Sequence, residues 1–84
     1  MKYVIFEGHG SVHPVLCADH TSHCQLKVDG CVPVSGGFVN LSRFGVECVY
    51  GRAESLNLEN RGDEDVNILQ DWYLSMGMYA FLRL

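Results

Sequence analysis

The 84-residue sequence predicts a single α+β domain: a four-stranded, mostly antiparallel sheet with one short and one longer helix on one face, in β-β-α-β-β-α order. Three observations carry this. Runs rich in β-branched and aromatic residues recur between glycine turns over the first fifty residues, and one run with helical spacing follows them. The length allows one core of two short layers, burying roughly 60–65% of the surface that the unfolded chain exposes. With 48% hydrophobic and only 19% charged residues, disorder over most of the chain is excluded.

Residues 2–7 (Lys-Tyr-Val-Ile-Phe-Glu) have strand composition and stop at the turn signal Gly8-His9-Gly10. Residues 13–18 read as a second strand, with Pro14 near its start, where a missing N–H does little harm at a sheet edge. Next, either Asp19 or Thr21 caps a short helix over residues 22–27, or the chain stays extended into a hairpin turning at Asp29-Gly30. Cys24, Leu26 and Val28 alternate as the hairpin requires; Pro33, close after the turn, argues against it. Residues 31–41 form a third strand, in which Gly36-Gly37 marks a bulge or the close approach of another backbone. A loop at residues 42–45 leads to a fourth strand at residues 46–50, which ends at Gly51.

Residues 52–60 are polar, with Leu56 and Leu58 placed to pack an extended arm beneath a loop. From residue 63, Val66, Leu69, Trp72, Tyr73 and Met76 fall at helical spacing; acids open the run and Gly77 closes it. The apolar face of this helix, with its indole, is expected to cover one face of the sheet. Residues 78–84 (Met-Tyr-Ala-Phe-Leu-Arg-Leu) form an apolar tail, which packs on its own domain or on a second copy.

Six basic against ten acidic residues give a net charge of -4. The acids gather in residues 54–71, where Glu54, Glu59, Asp63, Glu64, Asp65 and Asp71 face Arg61 alone. Such a face repels phosphate backbones, so nucleic acid is not the expected partner. It reads as a solvated helix face with acids in the first turn. No apolar run approaches the ~20 residues of a membrane span, and the apolar h-region that a secretory signal would carry after Lys2 is missing. A cytoplasmic, reducing setting follows as the expectation, in which the four cysteines stay thiols. There the sequon Asn40-Leu41-Ser42 and the tripeptide Arg61-Gly62-Asp63 carry no extracellular meaning.

The densest set of chemical groups is His9, His13, Cys17, His20, His23 and Cys24, all of types that bind zinc. No Cys-x-x-Cys accompanies them, so the alternative to a small zinc domain is exposed histidines and packed thiols. Gly8-His9-Gly10-Ser11 has the look of an oxyanion-holding turn, but neither a nucleophile elbow nor a phosphate loop follows. No catalytic motif is present, and the chain is not expected to be an enzyme. Trp72 and Tyr73 belong to the core face of the helix.

The succession His13-Pro14-Val15, Asp19-His20 with Ser22-His23, Pro33-Val34-Ser35-Gly36-Gly37-Phe38-Val39, Val49-Tyr50-Gly51, Glu54-Ser55-Leu56-Asn57-Leu58 and Arg61 resembles a group of small uncharacterised bacterial and phage proteins. The resemblance spans about residues 1–70, implies the β-β-α-β-β-α order with a helix at residues 21–27, and brings no function with it. Cys17, Cys24, Cys31 and the apolar end from Trp72 depart from the group. The functional expectation is a non-enzymatic protein-interaction module, encoded by a phage or prophage, that self-associates as a homodimer by its sheet edge, helix or tail, with Asp63, Glu64 and Asp71 on the helix and Tyr79, Phe81 and Leu82 in the tail as the candidate interaction residues. No cofactor and no membrane partner is expected.

Overall fold

The computed structural model describes the backbone of residues 1–77 and the side chains of residues 1–75. Four strands, β1 (Lys2–Gly8), β2 (Ser11–Cys17), β3 (Val32–Ser42) and β4 (Gly45–Tyr50), form an antiparallel sheet in the order β2-β1-β3-β4. A two-stranded ribbon of β5 (Arg52–Ala53) and β6 (Leu58–Glu59) follows. The helix α1 (Asp63–Trp72) then runs into a wider, π-type turn over Tyr73–Gly77. The α+β class and the antiparallel four-stranded sheet are those the sequence predicts.

His9 and Gly10 join β1 to β2 with φ angles of 55° and 76°. This is the mirror-image two-residue turn whose twist matches that of the strands it joins. The pairing closes at Gly8↔Ser11 and passes through Phe6↔His13 and Val4↔Val15, so the alternate pair Ile5↔Pro14 needs no donor toward β1. Pro14 therefore turns its nitrogen outward on an edge strand, where it also removes a donor that an added strand would use.

Tyr3, Val4, Ile5 and Phe6 are all buried. Successive strand residues point to opposite faces, so β1 needs cover on both. Tyr3 and Ile5 join Val39 and Leu69 in the core beneath α1. On the other face Ala53 lies over Gly36 beside Val4, while Phe6 shares an apolar hollow with Leu26, Val28 and Leu56. The expected short helix at residues 21–27 is a single 3-10 turn, His23–Gln25. It lies on the face opposite α1, so the two helical pieces do not share one face, because four consecutive apolar residues in a central strand leave neither face free. Asp29-Gly30 does turn, with Cys31 N–H donating to Val28 O at 3.1 Å, but it leads from the covering loop into β3 and joins no two strands.

Gly36 and Gly37 serve close approach, and the sheet's irregularities fall elsewhere, at Val34 between the pairs Ile5↔Ser35 and Phe6↔Pro33 and at Glu47 between Asn40↔Cys48 and Leu41↔Val46. A Cβ on Gly36 would lie 2.8 Å from the Ala53 methyl, and one on Gly37 would lie 2.7 Å from Tyr50 O. The arm after β4 can settle on the sheet only because both positions lack a side chain.

Along α1 and its final turn, Asp65, Leu69 and Tyr73 are fully buried at four-residue spacing, flanked by the half-buried Val66, Ile68 and Trp72. Trp72 packs toward the β2 edge beside Val12, Pro14 and Ile68. Asn60 Oδ1 accepts the Gly62 N–H at 3.0 Å ahead of the helix, and three acids in its first turn complement its dipole. Gln70 Oε1 accepts the Val46 N–H at 2.8 Å, tying α1 to β4.

Candidate interaction surface

Asp63, Glu64 and Asp71 are exposed, as expected of a solvated helix face. Glu64, Asn67, Asp71 and Leu74 fall on one stripe, three or four residues apart. Asp65 departs from that reading, since its side chain is fully buried. It accepts from Tyr3 Oη (2.7 Å), Ser35 Oγ (2.9 Å), the Arg61 backbone N–H (3.0 Å) and Arg61 Nε (3.0 Å). The position follows from periodicity, because residue 65 lies one turn before Leu69 and two before Tyr73. Burial, the hydrogen bond to Asp65 and the charge of Asp65 together hold the Tyr3 hydroxyl well above the ordinary tyrosine range. Tyr3 is thus a neutral donor throughout the physiological range.

The β3–β4 turn is braced by Ser42, whose Oγ accepts the Phe44 N–H at 3.1 Å and donates to Gly45 O at 3.3 Å. Phe44, at the tip, is 87% exposed. Tyr73 Oη donates to Ser42 O at 2.6 Å, which brings the C-terminal end of α1 to the same end of the molecule. There Leu74 is 57% exposed. The sequence marked residues 42–45 as a loop and gave Phe44 no role; its exposure follows only from the register that puts it at the tip. Tyr79, Phe81 and Leu82 lie outside the described residues.

The six candidate zinc ligands are spread over the molecule. His9 and His13 sit at one end of β2, where their Nε2 atoms lie 3.0 Å from Asp29 O and 3.1 Å from Gly8 O. Cys17, half-buried with its thiol pushed up chiefly by burial, is at the other end of that strand, and His20 lies beyond it. Four residues along a strand span about 13 Å, where on a helix they would make one turn. His23 is buried, with Nε2 2.8 Å from Gly37 O. Among the described residues no group of three or more His, Cys, Asp or Glu could hold a metal ion.

Cys24 is exposed in a small polar network. Its Sγ lies 3.2 Å from Ser22 Oγ, and its N–H donates to Ser55 Oγ at 3.0 Å. Hydrogen bonds from the Ser22 and Ser55 hydroxyls, aided by Lys27, hold its thiol below the ordinary range. Cys24 is thus more readily ionised than Cys17.

No helix among the described residues is long and apolar enough to cross a membrane. Comparison with protein-family models, with curated proteins and with solved structures finds no match.

Proposed function

We propose that this chain is a protein-interaction module without catalytic activity, which pairs with a second copy of itself through the end of the molecule bearing Phe44 and Leu74. The observation that carries this reading is Phe44, 87% exposed on a turn fixed by Ser42. An aromatic side chain on a turn whose backbone is already braced gives up only its own side-chain freedom on docking, and aromatic anchors dominate interface energetics. Leu74 extends the apolar area, while Asp71, one turn before it, contributes to the polar rim that such a surface needs. A two-fold pairing brings the same patch together from both copies, so one anchor serves twice. Tyr79, Phe81 and Leu82, just beyond Gly77, join the proposal on sequence grounds alone. Four free thiols accord with a cytoplasmic setting, and the acidic helix face accords with a protein partner in place of nucleic acid.

Sedimentation velocity over roughly a hundredfold range of protein concentration tests the pairing. The expected result is a monomer–dimer equilibrium that Phe44→Ser shifts to monomer. The melting temperature should hardly change, since exposed substitutions usually stay within about 0.5 kcal/mol. A chain that remains monomeric throughout, or a dimer indifferent to Phe44→Ser, overturns the reading.

A further inference from the structure

We propose that the hollow bounded by the start of β1, the His23 turn and the first residues of the 51–55 arm binds a small organic carboxylate. It encloses about 500 Å³, within the range of small-molecule sites. Its groups come from separate stretches of chain: Lys2 from β1, Ser22 and His23 from the turn, Phe38 from β3, and Arg52 and Ser55 from the arm. In a chain of net charge -4, two of the six Lys and Arg side chains thus meet in one place.

Neither cation is fully engaged. Lys2 makes no ion pair among the described residues. Arg52 Nη2 donates to Asn57 Oδ1 at 2.6 Å, but Nη1 reaches Glu59 only at 3.5 Å, and the buried Nε has no hydrogen-bond partner among the described residues. A bound oxyanion at the Lys2 ammonium and at Arg52 Nη1, whose contact with Glu59 is long, would supply acceptors that these outer donors lack. The Ser22 hydroxyl, which donates to Ser55 Oγ at 3.3 Å, and the Ser55 hydroxyl make the same wall polar.

The floor is rigid and apolar. Phe38 stacks on Tyr50 with ring centroids 5.5 Å apart, and His23 meets it edge-on at 5.6 Å. Gly51, with φ of 66°, keeps the ring open, since a Cβ there would come within 2.9 Å of it. An oxyanion at the cationic wall can therefore carry a planar or aliphatic body resting on Phe38.

Charge selects the carboxylate. Arg52 is already paired with Glu59 at 3.5 Å, so Lys2 is the cation of the lining that no ion pair among the described residues answers, and a monoanion answers it. A dianionic phosphate would set its second charge against Glu54 with no cation left to answer it.

NMR titration of the 15N-labelled full chain with sodium benzoate at constant ionic strength tests this, with inorganic phosphate as a parallel arm. Benzoate should give saturable shifts at Ser22, His23, Phe38 and Arg52, and Lys2→Gln should weaken binding about tenfold. Among the described residues Lys2 makes no ion pair, so that variant should keep the parent spectrum elsewhere. Absence of saturable benzoate shifts in the unaltered chain overturns the proposal by itself. So does phosphate binding as tightly as benzoate, or a Lys2→Gln chain that binds benzoate unchanged.

Discussion

Asp65 is a charge taken out of water, and even after relaxation that costs several kcal/mol. Four donors offset the cost, one of them the Tyr3 hydroxyl. Removing that donor with Tyr3→Phe should destabilise the fold by about 1–3 kcal/mol at neutral pH. The effect has a pH signature. Unfolded tyrosine ionises near pH ~10, whereas folded Tyr3 is held well above that and keeps its proton. The contribution is therefore complete below about pH 10 and is lost as pH rises further, because the unfolded chain gives up a proton that the native state retains. Urea unfolding of parent and Tyr3→Phe across that window should show the gap in stability closing on the alkaline side. A gap constant with pH would show that Tyr3 is not the group responsible. The apolar stripe is legible in the sequence and the cluster is not: helical spacing puts Leu69 and Tyr73 on the stripe, whereas Asp65, on its continuation, reads as one of the solvated acids. What local sequence did not reveal is that Tyr3 and Ser35, from two strands, meet there to receive a carboxylate.

Among the elements, the strands and the long helix were readable because turn residues delimit the strands and helical spacing marks the helix. The segment after β2 was not. Ser22 and Gln25 begin a turn, with Gln25 Oε1 accepting the Ser22 N–H at 3.0 Å, yet the backbone is extended again at Leu26. Leu26 and Val28 are needed over Phe6, and a continued helix would turn one of them away. That demand arises from the far side of the sheet, out of reach of any local window. Gly36-Gly37 had two readings, bulge or close approach, and only the placement of the arm decides between them. Gly37→Ala should cost about 1–3 kcal/mol, because its new methyl would press on the Tyr50 carbonyl, and backbone cannot yield by rotating a side chain. Amide exchange should then quicken in residues 52–59 more than in α1. Unaltered exchange there would mean that the arm does not depend on that contact.

For the whole molecule, net charge and apolar surface pull in opposite directions. Each copy carries a net charge of -4, and the exposed Glu64 and Asp71 stand on the helix that leads to Leu74. The proposed pairing through the Phe44 end would bring two such acidic stripes toward each other, so that repulsion would oppose a contact driven by apolar burial. Salt screens the first and leaves the second intact: the screening length falls from about 30 Å at about 0.01 M to about 3 Å at about 1 M. Dimerisation should accordingly strengthen as sodium chloride is raised over that range, in sedimentation experiments at fixed protein concentration. An interface built on ion pairs, with Glu64 or Asp71 meeting Lys27 or Arg43 of the other copy, would behave in the opposite way and weaken. The sign of the salt dependence thus separates an aromatic anchor with a repelling rim from a charge-paired interface, and a dimer that weakens with salt would move the contact away from Phe44.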